Sequence, residues 1–125
     1  MRLLLDSHVV YWWMTASAKL SATARDLIVD STNAVLVSAV SIYEIELKAA
    51  RRRVDLPPRE LRAALQRNAV EALAITHDHA EYAANLAWEH RDPWDRLLAA
   101  QALLENCAFV SVDKVFDGTA IDRRW

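Results

Sequence analysis

Short apolar runs alternate along the chain with longer segments in which apolar residues recur at helical spacing. A short run that is mainly apolar is typical of a strand buried on both faces. We predict strands at 3–5, 34–37, 72–75 and 109–112, with a last short strand near Ile121. Strands that alternate with helices indicate a parallel sheet covered on both faces, so the predicted fold class is α/β, a three-layer α/β/α domain with a central, mainly parallel sheet.

The helices between these strands are marked by capping residues and prolines. Ser21 and Ser41 are predicted N-caps, and Glu44 follows Ser41 by three residues, as in a capping box. Pro57 and Pro58 are expected to open a basic helix, and Pro93 suits the first turn of another. The predicted helical segments are 9–14 (a short helix or turn), a helix beginning after residue 21, and helices at about 41–53, 58–68, 76–88 and 93–105.

Composition limits the size and the compartment of the protein. A chain of 125 residues with 54% hydrophobic side chains, one glycine and three prolines fits one helix-rich domain, residues 1–125, with a substantial core. The single cysteine, Cys107, excludes an internal disulfide, and its apolar neighbours favour a buried thiol. No run approaches the ~20 apolar residues that cross a membrane, and the first residues do not form a secretion signal. We therefore expect a cytoplasmic protein with no membrane partner.

Four acidic residues are predicted to meet at one edge of the sheet. Asp6 follows the first strand and Asp113 the fourth, while Glu44 and Asp95 lie early in helices that begin at the same edge. Ligands of open α/β sheets bind beyond the carboxyl ends of the strands. Four carboxylates gathered there repel one another unless cations hold them together, and Mg²⁺ or Mn²⁺ prefers such oxygen ligands. Ions of this kind activate water and stabilise the leaving oxygen when a phosphodiester is cleaved.

Each of these carboxylates also has a purely structural interpretation. Glu44 fits a capping box, Asp95 suits the positive end of its helix, and Asp113 suits a turn after a strand. Asp6 points most strongly to function, because an unpaired carboxylate at the end of an apolar strand is costly. Their shared position favours a functional site, and Asp92, three residues before Asp95, is left open as an auxiliary ligand.

The formal net charge of −2 argues against a uniformly basic nucleic-acid binder, yet the charges are segregated. Residues 48–67 carry seven basic and two acidic side chains, a net of +5, which leaves −7 for the rest of the chain. Such segregation favours a polyanion bound beside an acidic site. At helical spacing Glu44, Lys48 and Arg51 or Arg52 share one stripe, which predicts a path from the cation site to a phosphate clamp. The same stripe is also consistent with an ordinary solvated helix face.

Four segments occur in an order that is similar to a known family. They are Leu-Leu-Leu-Asp6-Ser-His, Ser41-Ile-Tyr-Glu44-Ile-Glu-Leu-Lys48, Asp92-Pro-Trp-Asp95-Arg-Leu-Leu-Ala-Ala-Gln101 and Val-Ser111-Val-Asp113. Together they resemble the PIN-domain ribonucleases, specifically the VapC-type toxins of bacterial toxin–antitoxin pairs. The resemblance extends from the first strand to the fourth, and the segment Asp-Pro-Trp-Asp-Arg-Leu-Leu is its most specific part.

The resemblance implies a PIN-like fold and a metal-dependent endoribonuclease. Its catalytic and metal-binding set would be Asp6, Glu44, Asp95 and Asp113, with Mg²⁺ or Mn²⁺ as the cofactor. It also implies an RNA substrate, a cognate antitoxin that occupies the active-site groove, and a homodimer. Ser7 stands where the family usually has Thr and keeps a hydroxyl that can hydrogen-bond to a carboxylate. The predicted substrate-binding residues are Ser7, Lys48, Arg51 and Arg52.

The aromatic residues divide into two groups. Trp88 and Trp94 are expected in the core, although Trp94 replaces the Phe that is more usual in the family. Trp12 and Trp13 fit either the core or an interface with a second subunit or an antitoxin helix. His8 lies near the predicted site, where it fits substrate contact and local packing equally well.

Two other functions fit parts of the pattern. A phosphoacceptor receiver domain also gathers carboxylates and Mg²⁺ at a sheet edge, but here the strands near Val37 and Ile75 end in no phosphoacceptor Asp. A non-catalytic PIN-like binding module would act mainly as one half of a complex. The complete acidic set argues against such a module.

Overall fold

The helices and strands of the protein follow the alternation predicted from its sequence. The computed structural model describes residues 1–57 and 59–125. Its elements are β1 (Arg2–Leu5), α1 (Ser7–Met14), α2 (Ala22–Val29), β2 (Ala34–Ser38), α3 (Ala39–Ala50), α4 (Leu61–Arg67), β3 (Glu71–Leu73), α5 (His77–Asn85), α6 (Pro93–Leu104), β4 (Ala108–Val110), a 3₁₀ helix (Lys114–Gly118) and β5 (Arg123–Arg124).

Five parallel strands form one sheet in the order β3-β2-β1-β4-β5. The middle strand is β1, and its Leu4 is in register with Leu36 of β2 and Phe109 of β4. The order reverses at β1, since β2 and β3 extend the sheet on one side and β4 and β5 on the other. In open parallel sheets a crevice forms at the carboxyl ends of the strands where the order reverses. Here that crevice lies between β1 and β4.

Helices cover both faces of the sheet because the central strand is apolar on both. Leu3 and Leu5 pack into one core cluster with side chains from α1 to α4. Leu4 points to the opposite face, where it packs with Leu98 of α6 and Phe116 of the 3₁₀ helix. The predicted three-layer α/β/α fold is confirmed.

The start of α3 differs from the prediction. Ser38, not Ser41, is the N-cap, and its side chain accepts a hydrogen bond from the N–H of Val40. The helix follows β2 directly, so the last strand residue caps it and Ser41 falls inside the first turn. Glu44 is therefore not a capping-box residue and lies in the second turn. Its carboxylate instead contacts Ser7 at the start of α1.

The segment before α4 also differs from the prediction. The helix begins at Leu61, four residues after Pro57, and Pro58 lies outside the described residues. Arg59 has a φ of 67°, a left-handed conformation that a right-handed helix cannot pass through. The helix is therefore shorter than the one predicted from about 58 to 68.

One simpler expectation is met. Cys107 is buried among apolar residues, as its neighbours in the sequence predict. In the part of the chain that the structure describes, every helix falls short of the length and apolar character that a membrane crossing requires.

Candidate active site

Asp6 lies at the carboxyl end of the central strand, at the crevice between β1 and β4. Its backbone N–H donates to the carbonyl of Val110, and its side chain caps α1 by accepting from the N–H of Ser7 at 2.8 Å. Its other carboxylate oxygen accepts from Ser111 Oγ at 2.7 Å. Only 7% of the residue is exposed, and burial raises the pKa of its carboxyl, which the two hydrogen bonds partly offset.

Glu44 approaches Asp6 from the second turn of α3. Its Oε1 lies 3.2 Å from Ser7 Oγ, which itself lies 3.0 Å from Ser41 Oγ. One hydroxyl hydrogen serves each serine, so Ser7 donates to Glu44 while it accepts from Ser41. Burial raises the pKa of Glu44, the Ser7 hydrogen bond and the nearby Lys48 lower it, and the charge of Asp6 raises it further.

Asp95 enters the site from the first turn of α6. The helix begins there because Asp92 Oδ1 accepts from the N–H groups of Trp94 at 2.9 Å and Asp95 at 3.3 Å, and because Pro93 occupies the first turn. The Asp95 carboxylate accepts a 2.7 Å hydrogen bond from His90 Nε2. Burial raises its pKa, the His90 contact lowers it, and the charges of Asp92 and Asp6 raise it again.

Asp113 lies at the same edge of the sheet but is exposed. It caps the 3₁₀ helix, where its side chain accepts from the N–H of Val115 at 2.9 Å. Its own N–H donates to Ser111 Oγ at 3.0 Å, so Ser111 connects it to Asp6. The charge of Asp113 contributes to the raised pKa of Asp6, after the larger effect of burial.

The four predicted carboxylates therefore come from four separate segments and lie at one edge of the sheet. Among residues 1–57 and 59–125, no lysine or arginine nitrogen lies within 4.0 Å of any of the four carboxylates, and His90, which contacts Asp95, is the one basic side chain that does. The donors are carboxylate oxygens, and their charges repel one another at Asp6, Glu44 and Asp95. A hard divalent cation fits such a set, because it supplies the positive charge that the protein does not.

Two further groups lie beside the carboxylates. Ligand atoms of His90, Asp92 and Asp95 lie within 4.8 Å of one another, which is close enough for a shared ion. The role of Asp92 as the cap of α6 accounts for its position in this group without an ion. His8 is exposed, stacks on Trp12 at a centroid distance of 5.7 Å, and lowers the pKa of Asp6 after the larger contributions of burial and hydrogen bonds.

The predicted substrate-binding residues occupy different surroundings. Ser7 is buried and its hydroxyl holds Glu44, whereas Lys48 is half-buried and close enough to influence the pKa of that carboxyl. Arg51 is the C-cap of α3, and Arg52 follows it with a φ of 53°; both are exposed. Seven residues of helix separate Arg51 from Glu44 by about 10 Å along the axis. Of the basic stripe, Lys48 alone lies beside the carboxylates.

Three side chains that organise the site were not predicted as part of it, although Ser41 was expected to cap a helix. Ser111 and Ser41 are buried serines that face Asp6 and Ser7, and His90 faces Asp95. Ser111 had a detectable signal, since a serine interrupts an apolar strand two residues before Asp113. His90 and Ser41 had none, because their partners are set by the packing of separate elements.

The prediction for Trp94 is wrong. Its side chain belongs to the first turn of α6, at the open edge of the sheet, and it is 39% exposed. It contacts Tyr43 of α3, whose exposure is 53%, at a ring-centroid distance of 5.5 Å. Trp88 is partly buried and packs against the core, with its ring centroid 5.6 Å from that of Phe116. Trp12 and Trp13 are half-buried and pack against the core cluster from its edge.

Known proteins are similar to this chain in both sequence and structure. Residues 3–122 match the PIN domain family. The chain is 34% identical over 114 residues to ribonuclease VapC22 of Mycobacterium tuberculosis, a match that covers 89% of this chain and 86% of that protein. Its structure resembles VapBC2 from Rickettsia felis, bound to a DNA fragment from their promoter, with a TM-score of 0.70, 14% identity and 98% of both chains covered.

A second structural likeness is to VapC20 of Mycobacterium tuberculosis, a sarcin-ricin loop cleaving toxin, with a TM-score of 0.66, 18% identity and 95% of both chains covered. At identities this low, the two structural likenesses show the fold. Because the family match spans nearly the whole chain and a relative is 34% identical over most of its length, the protein is a member of the PIN-domain family.

Proposed function

We propose that this PIN-domain protein is a metal-dependent endoribonuclease and the toxin of a toxin–antitoxin pair. The observation that carries the proposal is the meeting of Asp6, Glu44 and Asp95 at the end of the central strand, with Asp113 beside them. The ribonuclease name of the 34% identical relative supports this assignment. The family match and the fold leave no support for a phosphoacceptor receiver domain.

The residues that would hold the cofactor, Mg²⁺ or Mn²⁺, are the four carboxylates. Asp6 and Asp95 would bind it directly, while Glu44 and Asp113 would ligate it or hold its waters. When bound, such a cation lowers the pKa of water and stabilises negative charge on a phosphodiester.

Hydrogen bonds from backbone and side-chain groups of the chain fix the orientation of the carboxylates without substrate. The N–H of Ser7 and the hydroxyl of Ser111 hold the two oxygens of Asp6, and the hydroxyl of Ser7 holds Glu44. His90 orients Asp95 through a 2.7 Å hydrogen bond. Lys48, whose charge acts on Glu44, would neutralise an RNA phosphate at the carboxylates, and Arg51 and Arg52 would contact the RNA backbone farther along.

The proposed partners follow from the relatives. Among the structures that this chain resembles are VapBC complexes, whose toxins bind an antitoxin, so we propose a cognate antitoxin for this chain as well. We also propose a homodimer, for which the half-buried Trp12 and Trp13 offer apolar surface. Light scattering of the purified protein would measure its oligomeric state, and a monomer at all concentrations would contradict the dimer.

The test is Mn²⁺-dependent cleavage of total RNA by the wild type and by the Asp6→Asn and Asp95→Asn variants. Each substitution keeps the shape of the side chain and removes one negative charge, so we expect both variants to lose most of the activity. Asp26→Asn, which alters an exposed carboxylate on α2, is the matched control and should cleave like the wild type. Undiminished cleavage by both site variants would refute the proposal. Co-purification with a partner but no metal-dependent cleavage would favour the non-catalytic binding module instead.

A further inference from the structure

Two large aromatic side chains are exposed together at the edge of the candidate site. Tyr43 of α3 and Trp94 of α6 lie 5.5 Å apart between ring centroids, with an angle of 37° between their planes. This is the ordinary geometry of a packed aromatic pair, yet both side chains remain open to solvent. They therefore form a small aromatic surface across the gap between two helices.

The position of this pair ties it to the carboxylates. Tyr43 immediately precedes Glu44 in the chain, and Trp94 immediately precedes Asp95. Glu44 and Asp95 are close enough for the charge of one to raise the pKa of the other. The aromatic pair thus joins the same two helices that carry these two carboxylates.

Positive charge lies near the aromatic pair as well. Tyr43 shares a surface cavity with Arg62 of the basic helix α4, and Glu46 and Glu71 also line that cavity. Lys48 lies one helical turn beyond Glu44 on α3. The combination of aromatic faces and cations is typical of single-stranded nucleic-acid sites, in which bases stack on rings while the backbone meets basic side chains.

We infer that Tyr43 and Trp94 form a stacking site for an unpaired RNA base next to the phosphate that is cleaved. The inference rests on the proposed function, since it places the scissile phosphate at the carboxylates. A nucleotide with its phosphate there carries its base only one sugar away, and Tyr43 and Trp94 are the chain neighbours of Glu44 and Asp95. Bases in a duplex are already stacked and paired, so the site selects unpaired RNA. The pair thereby positions the substrate, while the carboxylates perform the chemistry.

The experiment separates binding from cleavage. Affinity is measured by fluorescence anisotropy with a labelled pool of random single-stranded RNA and with an RNA duplex, in the presence of Mn²⁺ and in the Asp6→Asn background, which prevents cleavage. The substitutions are Tyr43→Ala, Trp94→Ala, Trp94→Leu and Trp94→Phe. Tyr82→Ala is the matched control, because Tyr82 is a similarly exposed aromatic side chain that lies near Leu104, at the end of α6 farthest from Asp95.

We expect Tyr43→Ala and Trp94→Ala each to weaken binding of the single-stranded pool about 5- to 100-fold, the usual loss for one base stack. Trp94→Leu keeps apolar bulk without a ring and should bind as weakly as Trp94→Ala, whereas Trp94→Phe should retain most of the affinity. Tyr82→Ala should have no effect, and duplex binding should not change in any variant. Circular dichroism of each variant verifies the fold.

Two results would overturn the inference: parental affinity in both alanine variants and in Trp94→Leu, or an equal loss of duplex and single-strand binding. Failure of the proposed function would give a different experimental result. In that case the wild type leaves RNA intact with Mn²⁺, while the affinity of the Asp6→Asn protein for single strands still depends on Trp94.

Discussion

Ser111 Oγ donates a 2.7 Å hydrogen bond to Asp6 Oδ2, although 105 positions separate the two residues in the chain. The same oxygen accepts the N–H of Asp113, so one buried hydroxyl joins the ends of β1 and β4. Topology explains the contact, because β4 is the parallel neighbour of β1 and their carboxyl ends meet at the crevice.

Replacement of this hydroxyl is expected to weaken both the fold and the proposed cation site. Ser111→Ala leaves the buried Asp6 carboxylate and the Asp113 N–H without their shared partner, which should cost about 1–3 kcal/mol of unfolding free energy. Loss of the hydrogen bond should also raise the pKa of Asp6 further and weaken Mn²⁺ binding at neutral pH. Urea denaturation and calorimetric titration measure the two effects. Ser31→Ala, at an exposed serine between α2 and β2, is the control; equal values for both variants would contradict the prediction.

The raised pKa values of the carboxylates predict how stability depends on pH and on cations. Burial raises the pKa of Asp6, Glu44 and Asp95, so the folded chain holds these protons more tightly than the unfolded chain does. Their contribution to the free energy of unfolding is therefore greatest below the ordinary carboxyl pKa values, about 4, and falls as the pH rises through the raised values.

Asp6→Asn isolates one of these contributions. In EDTA the variant should gain stability relative to the wild type as the pH rises from about 4 towards neutrality, because it has no charge to bury. Saturating Mn²⁺ should stabilise the wild type, by about 2.7 kcal/mol at a hundred times the dissociation constant, and the variant less. Chemical denaturation at several pH values tests both effects. A wild type that gains on the variant with rising pH in EDTA would contradict the assignment.

Arg96 holds the segment that carries His90. Its guanidinium donates to four backbone carbonyls, those of Ala83, Leu86, Trp88 and His90, at 2.6–3.0 Å. A lysine has a single ammonium group and cannot donate to all four carbonyls at once. Arg96→Lys should therefore lose at least about 2 kcal/mol of stability. The segment between α5 and α6 should also become more sensitive to proteolysis. Arg91→Lys, at an exposed arginine of that segment, should change neither property, and similar behaviour of the two variants would contradict the structural role of Arg96.

The sequence predicted the features that depend on a repeated apolar pattern or on the position of a residue at the end of a strand. The apolar runs located β1 to β4 to within a few residues, and the carboxyl ends of parallel strands determine where Asp6 and Asp113 lie. The start of α3 was misplaced because Ser38 and Ser41 are both plausible caps, and only the end of β2 decides between them. Trp94 was wrongly expected in the core because apolar residues are often exposed, and the sequence alone does not show which helix end is exposed to solvent.

Side-chain contacts that depend on tertiary packing could not be predicted from the sequence. His90 and Asp95 are five residues apart, but their contact depends on the turn that Arg96 holds in place. Ser7 and Glu44 meet only because α1 and α3 pack side by side at the end of the sheet. The side chains that orient the carboxylates therefore became visible only with the folded structure.

Lys48 is predicted to be the cation that matters most for RNA near the carboxylates. If the proposed function holds, its ammonium group neutralises one phosphate, whereas Arg51 lies about 10 Å farther along α3. Lys48→Met, measured in the Asp6→Asn background, should weaken binding of single-stranded RNA and reduce the slope of log affinity against log salt by about 0.7, the value for one lost phosphate contact. Lys19→Met removes an exposed lysine from the loop between α1 and α2 and should leave the slope unchanged. Equal slopes in the Lys48 and Lys19 variants would show that Lys48 only balances the charge of Glu44, because such a role does not depend on RNA phosphates.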